Sequence, residues 1–228
     1  MKYFHPIMNS SGNEKILNLL PSEYKNAWII FLPFIEMPDE WIKENSTPTF
    51  PTNKEILNVG RPVSWEYLRK KSNINSIANF SIAVNTKLTN GFGRELYTRT
   101  DLSQQLTDAL SKNVFFPQED NLSVFVIKSI FDFFSIRDCE KIEYAFIDDE
   151  NIYSLQLDSM TSEDILKLSN GPITISDCDK DYVFTFFFDE VSALLFSKDS
   201  ISDVVFKRFF EGVNVDKYTI FNWEEQYK

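Results

Sequence analysis

The segment Phe184-Thr185-Phe186-Phe187-Phe188 constrains this chain more than any other. Four phenylalanines in five positions cannot alternate between core and solvent, and on an open sheet edge they would template aggregation. They read as a strand buried on both faces. Such a strand needs pairing partners and a covering layer, which predicts a multistranded sheet inside a sizeable core. The chain is long enough to supply one, because a domain in the range of its 228 residues buries roughly 70% of the surface its unfolded form exposes. With 22 Phe and 43% hydrophobic residues the chain is globular, unlike an acidic disordered polymer.

The periodicity around this segment supports a sheet. Ile142, Tyr144 and Phe146 alternate into the acidic turn Asp148-Asp149-Glu150-Asn151, and Ile152, Ser154 and Leu157 follow it, which predicts a hairpin. Thr161 caps a helix over 162–169 that stops at Gly171-Pro172. Ile173 and Ile175, then 182–188 and 191–196, read as further strands. Asp199 or Ser200 starts a helix carrying Ile201, Val204, Val205 and Phe209, with Gly212 as its C-cap, and Tyr218, Ile220 and Trp223 predict a closing strand.

Upstream, 14–20 reads as a short amphipathic helix ended by Pro21, and 27–34 as an apolar strand. A Pro-rich loop crosses 46–52. Short helices follow at 53–58 and 64–71, the second opened by Ser64 and closed by Arg69-Lys70-Lys71, a charge order that suits the helix dipole. The segment 89–98 reads as a glycine-bearing loop, and Asp101 with Gln104 as a capping box ahead of Leu102, Leu106, Ala109 and Leu110. Residues 122–134 are apolar around so much of their circumference that they read as a buried helix, with a strand pair as the alternative. The fold class is α+β: a helix-rich N-terminal half packed with a mostly antiparallel sheet and covering helices in the C-terminal half. The halves are 1–120, helix- and loop-rich and punctuated by proline, and 121–228, acidic and β-rich, within one compact unit.

Charge separates the same halves. Residues 1–120 carry 13 basic and 13 acidic side chains, whereas 121–228 carry 10 and 21, so the whole formal charge of −11 belongs to the second half. That balance excludes a duplex-DNA or anionic-membrane binder, which needs clustered Lys and Arg. One His and two Cys cannot make an all-His/Cys zinc centre, and six glycines leave little for a phosphate-cradling loop. No cofactor or metal is expected. Neither a secretory leader nor an uncharged apolar run long enough to span a bilayer is visible, so the expected location is the cytoplasm. Cys139 and Cys178, far apart in sequence and without a CxxC partner, read as reduced, buried structural residues.

Asp177, Asp179 and Asp181 stand at alternate positions, as at the start of a calcium loop. Tyr182 replaces the required glycine and Phe188 the bidentate glutamate, so these carboxylates read as a solvated hairpin turn, as does Asp148-Asp149-Glu150. His5 is the sole imidazole, placed near a terminus expected to be mobile and therefore a poor general base. No catalytic residue is assigned. The segment Gly60-Arg61-Pro62-Val63-Ser64-Trp65 joins an arginine, a tryptophan and a helix start, which together could hold an anionic or planar ligand. Arg94 and Arg99 beside the glycine-bearing loop could add donors. Arg61, Trp65, Arg94 and Arg99 are thus the candidate ligand-binding residues. The competing reading makes Trp65 a core anchor and the arginines ion-pair partners.

The run at 27–33 (AWIIFLP), its spacing to 51–57 (PTNKEIL) and the segment 60–65 (GRPVSW) resemble a family of uncharacterised bacterial proteins found in Bacillus and relatives, the domain-of-unknown-function 2711 group. The resemblance is best over roughly 25–70. It implies a bacterial cytosolic protein and brings no activity, cofactor or catalytic residue with it.

The leading functional reading is a non-enzymatic protein-interaction module, immunity- or inhibitor-like, whose acidic half docks a basic protein; no nucleic acid and no membrane is expected as partner. The alternative is a small-molecule binder or metal-independent enzyme with a pocket between the halves.

Overall fold

The structure, a computed structural model, describes residues 1–6, 14–45, 49–89, 98–188 and 190–220. In chain order its elements are α1 (Ile16–Leu19), β1 (Asn26–Phe31), β2 (Phe34–Glu36), α2 (Asp39–Glu44), α3 (Asn53–Val59), β3 (Arg61–Val63), α4 (Trp65–Lys71), α5 (Ile77–Thr89) and α6 (Thr100–Ala109). They continue with β4 (Val114–Phe115), α7 (Val124–Ser135), β5 (Lys141–Phe146), β6 (Tyr153–Gln156), α8 (Ser162–Leu168), β7 (Ile173–Asp177), β8 (Tyr182–Phe186), β9 (Ser192–Ser197), α9 (Asp203–Phe209) and β10 (Gly212–Val215). The fold class is α+β. The chain divides into two compact units, one formed by Met1–Leu32 with Gln118–Asn222 and the other built on Pro33–Pro117.

The first unit holds a seven-stranded antiparallel sheet in the order β10-β1-β9-β8-β7-β5-β6. Its register aligns a row of large side chains across one face: Trp28, Leu195, Phe184, Ile175, Tyr144 and Tyr153. Helices α7 and α9 cover the Phe184 and Trp28 part of that row, and Lys167 of α8 lies over Tyr144 and Tyr153. Phe133 and Phe134 of α7 meet Phe184 edge-on at 5.5 Å, and Phe206 of α9 stacks on Trp28 at 3.9 Å. The segment from Phe184 to Phe187 is the sheet's interior, with Phe184, Phe186 and Phe187 buried; Phe188, past the end of β8, is exposed.

The opposite face is covered by the first residues of the chain. The Phe4 amide donates to Thr174 Oγ1 (2.9 Å), the two threonine hydroxyls lie 3.0 Å apart, and Thr185 Oγ1 donates to the Phe4 carbonyl (2.6 Å). Because the Thr185 proton goes to Phe4, the proton between the threonines comes from Thr174, which closes a ring in which every donor has an acceptor. Tyr3 also donates to the Phe186 carbonyl, the Phe4 ring packs on Phe196, and the His5 ring lies 4.7 Å from Phe187. The expectation of a mobile terminus is thereby corrected: two backbone bonds and an apolar anchor hold Met1–His5 on the sheet.

The second unit contains a three-stranded antiparallel sheet, β3-β2-β4, and a cluster of Phe34, Trp65, Phe80 and Phe116 with ring centroids 5.1 to 6.3 Å apart. Thr52 and Glu55 form a complete capping box on α3, and Ser64 caps α4. The expected capping box at Asp101 is not formed. Arg99 occupies the N-cap, Asp101 turns back to pair with it, and Gln104 bonds Asp108. Gly212 is likewise a strand residue rather than a C-cap, and Phe210 ends α9. Ile220 forms a single bridge to Lys15, while Trp223 lies outside the described residues.

Candidate functional site

A cleft of about 600 Å³ opens in the first unit where the segment between α7 and β5 meets the turn between β7 and β8. The pairing of β5 with β7 builds it. Ile142 lies opposite Asp177, so the next positions along, Lys141 and Cys178, fall together at the end of the ladder, with Asp138, Cys139 and Glu140 on one side and Asp179 and Asp181 on the other. Asp138 (φ 54°) and Lys180 (φ 55°) take left-handed conformations at these two bends.

Carboxylates dominate the lining. Asp177, Asp179 and Asp181 each place an oxygen within 4.8 Å of the others, a spacing compatible with a shared cation. Asp177 also organises the turn, accepting from the amides of Asp181 (3.2 Å) and Tyr182 (2.8 Å). Burial pushes its carboxyl above the usual range, against those two bonds, which favour the ionised form. Lys198 spans the outside of the turn, bonding Asp181 (2.9 Å) and the Asp179 carbonyl (2.7 Å). The far wall is apolar and cationic at once: Arg137 lies 3.6 Å from the Phe133 ring centroid and 4.7 Å from that of Tyr182.

Two thiols complete the cleft. Cys139 donates to the Lys141 carbonyl at 3.1 Å and Cys178 to the same oxygen at 3.3 Å. Cys178 is exposed and Cys139 half-buried, which corrects the expectation of two buried structural cysteines. Burial raises the Cys139 thiol, and the charges of Asp177 and Asp179 add to that. The sequence signal that could have found this pair is the strand pairing itself: once β5 is set against β7, residues on either side of the hairpin and helix converge.

Of the candidate ligand-binding residues, Trp65, Arg99 and Arg61 each have their own surroundings. Trp65 is buried at 1% exposure between Phe34 and Phe80, with no ring face left open to solvent. Arg99 grips Asp101 with two nitrogens (2.6 and 2.8 Å), drawing that carboxyl down to about 2. Arg61 is exposed on β3 opposite Glu36. Arg94 lies outside the described residues.

The profile of a family described as "Protein of unknown function (DUF2711)" matches residues 12–225. The chain belongs to the DUF2711 family. A curated relative, "Uncharacterized protein YwbB" of Bacillus subtilis (strain 168), is 27% identical over 213 residues, covering 91% of this chain and 94% of the relative. No solved structure gives a significant match. The match reaches into both units of this DUF2711 member and includes all of the cleft, while the strap Met1–His5 lies ahead of it. Among the described residues, no helix is long and apolar enough to cross a membrane.

Proposed function

We propose that this DUF2711 member is a cytoplasmic, non-enzymatic interaction protein of the immunity or inhibitor type, whose acidic cleft docks a basic segment of a partner protein. The observation that carries the reading is the convergence of Asp138, Glu140, Asp177, Asp179 and Asp181 on one concavity, against only Arg137 and Lys141 of opposite sign in its lining. In so small a volume the like charges add, and a Lys- or Arg-rich strand or loop would relieve their repulsion while gaining charge-assisted hydrogen bonds. The concentration of the full −11 charge after residue 120 adds longer-range attraction that speeds encounter.

The test compares wild-type protein with the Asp179→Asn/Asp181→Asn variant, both immobilised and exposed to a lysate of Bacillus subtilis, the organism of the relative above. Captured proteins are then purified and titrated individually. A Lys/Arg-rich protein is expected to bind the wild type, about tenfold more weakly in the variant and again between 50 and 300 mM salt. If no purified basic protein distinguishes wild type from variant, the reading fails. Recovery of a small metabolite in the cleft instead would replace it with the small-molecule reading.

A further inference from the structure

We propose that Cys139 and Cys178 are a dithiol pair that closes to an intramolecular disulfide on meeting a hydroperoxide, cross-linking the two loops that form the acidic cleft. The geometry is set by a shared acceptor. Both sulfurs donate to the Lys141 carbonyl, at 3.1 and 3.3 Å, so they lie no farther apart than the sum of those distances. The S–S bond of about 2.05 Å is reached by turning two short side chains. Both cysteines sit on bends rather than inside ladders, Cys139 next to left-handed Asp138 and Cys178 just past β7, so small backbone adjustments disturb no sheet pairing.

Exposure orders the steps. The Cys178 thiol faces solvent and takes an oxygen from the hydroperoxide, becoming a sulfenic acid as the peroxide is reduced to the alcohol. The Cys139 sulfur then attacks the sulfenic sulfur, and the S–S bond forms as water leaves with the Cys139 proton. Two thiols lose two electrons and the O–O bond accepts them. Burial, with the nearby carboxylates adding to it, opposes ionisation of the Cys139 thiol, so its attack on the sulfenic sulfur is slow at neutral pH and quickens as pH rises. The reaction needs neither a docked partner nor a vacant cleft and stands apart from the partner-binding reading.

The experiment treats the full-length reduced protein with hydrogen peroxide and reads the intact mass, the titratable thiols after unfolding, and non-reducing electrophoresis. The expected result is a mass lower by about 2 Da, loss of both thiols, a monomeric band, and reversal by dithiothreitol. The thermal midpoint of the oxidised form should rise by roughly 5–10 °C, because the cross-link restricts the unfolded chain. Cys178→Ser, altering an exposed side chain, should abolish both the mass loss and the thermal shift. Wild-type protein that gains mass in steps of about 16 Da without the loss, keeps both thiols, or forms only linked dimers overturns the proposal.

Discussion

Gly212 is the residue whose side chain, or lack of one, most directly governs the large sheet. A Cβ at this position would stand 1.9 Å from the carbonyl oxygen of Ile29 and 3.0 Å from its carbon, both backbone atoms that β1 cannot move without losing its pairing. Gly212→Ala is therefore expected to cost about 3 kcal/mol, read as a lower urea midpoint at unchanged slope. Gly171 is the contrasting case. Nothing lies within 4 Å of its missing Cβ, but its φ of 99° burdens any replacement, so Gly171→Ala should cost only about 1 kcal/mol. His5 gives the chain a small pH response. Burial against Phe187 and Tyr3 holds its pKa below the ordinary 6.5, so the unfolded chain takes up the proton first. The stability it contributes is complete above pH 6.5 and is lost as pH falls toward the depressed folded value. Thermal midpoints measured between pH 7.5 and 5.5 should fall more steeply for the wild type than for His5→Gln.

At the scale of the element, the N-terminal strap depends on two buried hydroxyls. Thr185→Val removes the donor to the Phe4 carbonyl and the acceptor for Thr174, and should destabilise by about 2 kcal/mol while making residues 1–5 susceptible to proteolysis. Ser176 is the control, buried on the same face with no hydrogen-bond partner for its hydroxyl among the described residues; Ser176→Ala should be neutral within about 0.5 kcal/mol. The strap was invisible in the sequence because Met1–His5 has no periodicity of its own and gains its conformation from Thr174 and Thr185, far along the chain. What could be read were elements whose signals are local. Ser64 and Thr161 mark helix starts through their own side chains, and the alternation of Ile142, Tyr144 and Phe146 marks a strand through its own period. Helix α5 was missed because Ala78, Phe80, Ser81, Ile82, Ala83 and Val84 are buried around most of its circumference, which erases an amphipathic pattern. Of the cleft, the carboxylates at 177, 179 and 181 were legible as a turn, while the thiols were not, since their meeting is a matter of β5–β7 register. The Trp65 segment misled for a related reason: a tryptophan after a glycine and a proline looks the same whether its ring ends outside or, as here, against Phe34 and Phe80.

For the whole molecule, a formal charge of −11 with three carboxylates crowded in one turn predicts that salt stabilises the fold. Raising sodium chloride from 20 to 300 mM should lift the thermal midpoint by about 2–4 °C, and Asp179→Asn should reduce that increment; a midpoint that falls with salt would show that attractive pairs dominate instead. The strand order carries a different consequence. Strand β1 lies between β9 and β10, so Ile29 finds its neighbours only at Leu194 and Val213. During synthesis this apolar segment, Ala27 to Phe31, is made before every other strand of its sheet and has no partner until β9 follows. The 33–117 segment is synthesised in the interval, whereas the large sheet is completed only once β10 has been made. The exposed moment of β1 is therefore its synthesis, when an apolar strand without neighbours can pair with other chains until β9 and β10 arrive.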